Sequence, residues 1–177
     1  MEYLLLAALS LDGRLADAGG NSFSSPEDKE HFFQSVRTCD GMVFGASTYR
    51  KNPVWMTESL RPGAPRVVAT RNPDQFKDDM HPDRVFLPPD PAIHEDYFRS
   101  RGCRRIAVLG GGSVYAAYLA ADRVDRLLLT LEPVVLGEGP VFAAFSVRQR
   151  YTLLSTRPLN TSTLLLEYKR EGSSFAK

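Results

Sequence analysis

Three short stretches of this 177-residue chain carry residue types suited to holding phosphate. Gly110-Gly111-Gly112-Ser113 follows the apolar run Ile106-Ala107-Val108-Leu109 and leads into a helical pattern starting at Ser113. Glycines let the backbone pass close to a ligand, and the first turn of a helix leaves N–H groups unbonded with a partial positive charge. Gly45-Ala46-Ser47-Thr48 repeats the arrangement after a second apolar run, and Thr70-Arg71 closes a third. Two helix N-termini suit a pyrophosphate, and a guanidinium pairs bidentately with a phosphate monoester. Together they fit a dinucleotide with a 2′-phosphate, NADPH. Neither GxGxxG nor GK[ST] is present, and each stretch taken alone also reads as a tight packing turn or, for Arg71, a surface arginine. The convergence of three favours the ligand.

Two carboxylates are placed to work beside such a cofactor. Asp12 follows the first apolar run in Ser10-Leu11-Asp12-Gly13, and Asp28 lies in the first turn of a helix announced by Ser25 as N-cap and Pro26 at its first position. Either could orient an acceptor or relay a proton. The plain alternatives are a turn residue for Asp12 and a helix N-terminal acid favoured by the dipole for Asp28. Trp55, the only tryptophan, stands in the loop after Pro53, where it suits stacking on a planar heterocycle or ordinary packing.

Positioning these groups takes buried strands that end together. Residues 2–9, 40–45, 66–70 and 104–109 read as such strands, with a short apolar piece at 85–87. Helices are expected at 25–38, 46–50, 92–101 and 113–121. Asn52-Pro53 breaks the second of these, and Phe32, Phe33 and Val36 share one face of the first. From Val124 the period changes, and residues 151–156 and 162–170 form an antiparallel hairpin around Pro158-Leu159-Asn160. The architecture is therefore α/β: a mostly parallel sheet with an antiparallel C-terminal edge and helices on both faces. In such sheets ligands bind at the carboxyl ends of the strands.

Composition narrows the function. Hydrophobic residues make up 43% and charged residues 24%, with a net charge of +1, which describes an ordinary globule. No basic excess points to nucleic acid, and the apolar N-terminus is too short to span a membrane. Cys39 and Cys103 form no metal or redox motif and fit reduced thiols in a cytoplasmic protein. His31, His81 and His94 have no ligand spacing, so no metal is expected. The chain reads as one domain, residues 1–177.

The order of motifs resembles the riboflavin-biosynthesis reductase (RibD C-terminal domain) family, within the dihydrofolate-reductase-like superfamily. Ala8-Leu9-Ser10-Leu11-Asp12-Gly13-Arg14-Leu15-Ala16 is similar to its A-x-S-L-D-G-K-I-A opening. Asp40 to Thr48 resembles D-x-x-x-x-G-x-x-T, and Asn52-Pro53 resembles its D-N-P turn. Gly110 to Ser113, Val124-Asp125 and Pro133 to Gly139 follow in the family's order, so the likeness runs from about residue 3 to 145. It implies a three-layer sandwich of the dihydrofolate-reductase type, NADPH-dependent hydride transfer to a small heterocycle, and a homodimer. Cofactor positions carry over onto Gly45, Thr48, Thr70, Arg71, Gly111, Gly112, Ser113 and Val114; the substrate-side candidates are Ser10, Asp12, Asp28 and Trp55, with Asp12 and Asp28 as the catalytic carboxylates.

The substrate side departs from that pattern. Leu6 stands for a lysine, Lys51 for the aspartate of D-N-P, and Gly110 for the glutamate of E-G-G. A ligand of the ribityl-phosphate pyrimidine type would leave different hydrogen bonds unmet here. The zinc deaminase half, with its HxE and PCxxC motifs, is also missing. Pro26 to Phe32 resembles the helix that carries the acidic residue of dihydrofolate reductases, with Asp28 in the pterin-pairing place, although their W-x-x-P segment is missing from 14–25. A uracil-type reductase, a dihydrofolate or pterin reductase, and a non-catalytic nucleotide-binding module are the three readings. Exposed apolar faces at Leu127, Leu129 and the C-terminal hairpin add to the expectation of a dimer.

Overall fold

Strand β1 (Glu2–Leu9) is the axis of the computed structural model, which describes residues 1–51, 60, 62–79 and 81–172. Its side chains alternate into two apolar clusters, with Tyr3, Leu5, Ala7 and Leu9 on one face and Leu4 and Leu6 on the other. A strand covered on both sides has no polar face to show, and hence its unbroken apolar sequence.

Around it run α1 (Pro26–Val36), β2 (Gly41–Gly45), α2 (Ala46–Lys51), β3 (Arg66–Ala69), β4 (Arg84–Leu87), α3 (Pro91–Ser100), β5 (Arg105–Val108), α4 (Gly112–Ala120), β6 (Arg126–Leu131), β7 (Tyr151–Pro158) and β8 (Leu164–Arg170). They form one eight-stranded sheet in the order β4-β3-β2-β5-β1-β6-β8-β7. Neighbours from β4 to β6 pair in parallel, and β8 runs antiparallel to both β6 and β7. Val36 of α1 and Tyr49 of α2 pack in the cluster with Leu4 and Phe44. Phe98 of α3 and Tyr115 and Tyr118 of α4 pack in the cluster with Leu5 and Val108. The result is the three-layer sandwich of the dihydrofolate-reductase type.

Helix ends follow local chemistry. Ser25 caps α1, its hydroxyl accepting the Asp28 N–H at 3.2 Å, a contact that stabilises a helix by about 1 kcal/mol. Asp90 caps α3 through the Ala92 N–H and moves that helix start one residue ahead of the expected Ala92. Helix α4 starts behind Gly111 with no side-chain cap.

Two expectations change. Leu127 is buried in the core beside β1, and Leu129 is half-buried against the same cluster, because their face of β6 joins the apolar cluster that holds Tyr118 and Leu119 of α4. The exposed apolar side chains of this region are instead Leu153, Leu154 and Leu164 of the hairpin. The Asn52-Pro53 break and Trp55 lie outside the described residues. Cys39 and Cys103 are buried free thiols, and His94 is buried between the Tyr118 hydroxyl (3.0 Å) and the Pro88 carbonyl (2.7 Å). No cluster of metal-ligating side chains occurs among the described residues.

Candidate functional site

The carboxyl ends of β2, β5 and β1 lie side by side. The Leu109 N–H donates to Val43 O at 2.9 Å and the Gly45 N–H to Gly110 O at 2.7 Å, so the two strand-to-helix turns are bonded to each other. A cavity of about 730 Å³ opens over this junction. Thr48, Gly111, Gly112 and Ser113 line one side, and Asp28, Lys29 and Phe32 line another. Its size falls in the usual range for small-molecule sites.

The glycine side suits a phosphorylated cofactor. Val114 and Tyr115 N–H groups both turn back to Gly111 O, while the first-turn N–H groups of Gly112 and Ser113 have no intrahelical acceptor. The peptide bond between Gly110 and Gly111 is cis. A Cβ added at Gly111 would meet only Thr48 Oγ1, at 3.7 Å, so the backbone there borders open space that a ligand can approach. Gly45 and Val114 do not reach the cavity. They pack on each other instead, and a Cβ on Gly45 would come within 3.3 Å of Val114 Cγ2.

Thr70 and Arg71 stand one strand further out, since Ala69 pairs with Gly45 in register. Adjacent strands are about 5 Å apart, so these residues emerge at the same edge rather than on a distant surface. The Thr70 hydroxyl accepts the Asn72 N–H at 3.2 Å and fixes the turn. Arg71 is exposed, and neither residue lines the cavity.

The opposite wall is acidic and apolar. Asp28 is 7% exposed, within reach of the Ser24 and Thr130 hydroxyls. Burial raises its carboxyl above the usual aspartate range; the nearby charge of Glu132 adds to the rise, and the hydroxyl hydrogen bonds and His31 partly offset it. Tyr115 closes the wall, its hydroxyl donating to Leu6 O at 2.5 Å, and burial pushes that phenol upward so that it stays a neutral donor. Its ring explains the departure at Gly110: at φ +88 a Cβ there would come within 2.7 Å of Tyr115 Cζ, leaving no room for a glutamate.

Ser10 and Asp12 are placed elsewhere. The Ser10 hydroxyl donates to Asp12 Oδ1 at 2.6 Å, and the Asp12 carboxylate accepts the N–H groups of Leu136 (3.1 Å) and Gly137 (2.8 Å). These bonds, the one from Ser10 foremost, hold the Asp12 carboxyl down at about 2. Arg14 completes the joint by donating to Gly137 O and Gly139 O. The S-L-D-G segment thus clamps the first loop to residues 136–139, and neither Ser10 nor Asp12 lines the cavity. Reasoning from sequence missed Tyr115 and Lys29 as lining residues; one helical turn separates Tyr115 from Gly111, which is the signal that could have found it.

Comparison with known proteins gives a consistent picture. The family profile described as RibD C-terminal domain matches residues 3–95 and 96–165. The chain is 25% identical over 170 residues to the uncharacterized protein YwjB of Bacillus subtilis, covering 92% of this chain and 94% of that one. Among solved structures, a pyrimidine reductase-like protein from Corynebacterium diphtheriae superposes with a TM-score of 0.80 at 20% identity, over 96% of this chain and 92% of that one. Dihydrofolate reductase from Enterococcus faecalis, complexed with NADP(H) and RAB-propyl, superposes with a TM-score of 0.73 at 16% identity, over 96% of each chain.

Proposed function

This chain belongs to the RibD C-terminal domain family, and from that premise we propose that it is an NADPH-dependent reductase of a small, flat nitrogen heterocycle. One observation carries the reading: a buried carboxyl, Asp28, shares a cavity with the uncapped N-terminus of α4. NADPH, when bound, supplies a hydride. The N–H groups of Gly112 and Ser113, with Ser47 and Thr48 beside them, hold the pyrophosphate, and Arg71 pairs with the 2′-phosphate.

Asp28 does the rest of the binding. A carboxylate in an apolar pocket selects a partner with two adjacent N–H donors, such as the ring N–H and amino group of an aminopyrimidine or pterin. Leu6, Phe32 and Leu109 exclude water from the face of the ring, and the Asp28 carboxyl, harder to ionise than an ordinary aspartate, can hold a proton for the acceptor. Dihydropterins are the second substrate class, since they present the same pair of adjacent N–H donors to Asp28. The protein acts as a homodimer through the exposed apolar hairpin, in the cytoplasm.

The test follows the NADPH absorbance band with a panel of aminopyrimidines and dihydropterins. Turnover of at least one, lost in Asp28→Asn, supports the reading. Saturable NADPH binding without turnover of any acceptor overturns it in favour of a nucleotide-binding module.

A further inference from the structure

Glu132 lies just past β6 and is 2% exposed, yet it does not line the cavity. Both its carboxylate oxygens are used. Oε1 accepts the Ser25 N–H and the Ser25 hydroxyl, each at 2.8 Å, and Oε2 accepts the hydroxyl of buried Thr163 at 2.9 Å. The Ser25 hydroxyl, with its proton committed to Glu132, turns a lone pair to the Asp28 N–H. A chain of hydrogen bonds therefore runs from the sheet, through the N-cap of α1, to the residue that carries the buried acid. Among the described residues no ion pair involving Glu132 occurs.

We propose that Glu132 is a positioning residue, which fixes Asp28 at the cavity by fastening the first turn of α1 to the end of β6 and to the hairpin tip; this rests on the reading of Asp28 as the group that meets the heterocycle. A buried carboxylate is a costly fastener where an apolar contact would do. Its use is intelligible where both direction and charge matter. Three donors fix its orientation, and it places a negative charge near Asp28 at the positive end of the α1 dipole. The other ionisable groups facing Asp28 are His31 one turn along α1 and Tyr115 of α4, with Lys29 and Lys51 lining the same cavity.

The experiment uses the full chain as wild type, Glu132→Gln, Glu132→Ala and Asp28→Asn. Carbon-13 NMR follows the Asp28 carboxyl, assigned by its loss in Asp28→Asn. Calorimetry reads binding of 2,4-diaminopyrimidine and, separately, NADP+. Glu132→Gln keeps an acceptor for Ser25 and removes the charge, so its Asp28 titration moves acidward while both ligands still bind. Glu132→Ala weakens diaminopyrimidine about tenfold and leaves NADP+ unchanged, a split that general loosening of the fold would not give. An Asp28 titration unmoved in Glu132→Gln overturns the inference, as does a Glu132→Ala protein that loses both ligands in equal proportion. If the titration moves but Asp28→Asn binds diaminopyrimidine as wild type does, the heterocycle reading fails while the hold of Glu132 on Asp28 stands.

Discussion

The Gly45 N–H donates to the carbonyl oxygen of Gly110 across 2.7 Å, which makes the ends of β2 and β5 a single bonded ledge beneath the cavity. The next two glycines sit on that ledge in different surroundings. Gly111 faces open space, whereas a Cβ on Gly112 would come within 2.7 Å of Val141 O, a main-chain atom with little freedom to move.

Gly111→Ala should therefore fold normally, with a thermal midpoint within about two degrees of wild type, and lose about tenfold or more in NADPH affinity. Gly112→Ala should lower the midpoint by several degrees, through overpacking that costs about 1–3 kcal/mol. Differential scanning calorimetry and an NADPH titration separate the two effects.

Arg71 makes no hydrogen bond or ion pair among the described residues and is exposed at the edge next to the cavity. Arg71→Ala should weaken NADPH about ten- to hundredfold and leave NADH affinity unchanged, since a charge-assisted contact to the extra phosphate is all that is removed. Equal losses for both nucleotides, or none, would move the 2′-phosphate elsewhere.

Asp28 is harder to ionise in the fold than in the unfolded chain, so it lowers stability as pH rises above its unfolded value, and the full cost is present above its raised folded value. Asp28→Asn should raise the thermal midpoint at pH 8, have less effect near pH 4, and abolish turnover. Melting curves across that range, alongside the activity assay, check both halves.

The sign is opposite for Asp12. Its carboxyl is held down at about 2, so its contribution is present above the unfolded aspartate value and fades as pH falls toward 2. Asp12→Asn should flatten the acid limb of the stability curve and speed hydrogen exchange at the Gly137 amide, which donates to that carboxylate. Cofactor affinity should remain, because the clamp lies outside the cavity lining.

Leu153, Leu154 and Leu164 are each at least 40% exposed on the hairpin, and β7 is the last strand of the sheet. An exposed apolar edge calls for a partner. Light scattering should give twice the chain mass, and Leu153→Glu with Leu154→Glu should give the single mass with folding intact.

The strand ends were legible in the sequence because burial on both faces leaves unbroken apolar runs, and because Gly45 and Gly110–Gly112 mark where the backbone turns close. Asp28 was legible through the Ser25-Pro26 helix start. The fate of Asp12 was not: an Asp before Gly in a loop looks the same whether it faces a ligand or the amides of residues 136 and 137, some 124 positions away. Leu127 looked exposed because nothing local announces that its face of β6 joins the cluster with Tyr118 and Leu119. Glu132 was hidden for the same reason, its three donors coming from two segments distant in the chain.

The β7–β8 turn touches α1 twice, through Asn160 to Glu27 and through Thr163 by way of Glu132. Loosening that turn alone would thus spare the nucleotide end of the molecule and unmoor its acid end. Substitutions in a surface hairpin with no part in the chemistry would then retune which acceptors are taken, a route by which one scaffold could change clientele while its glycine ledge stays as it is.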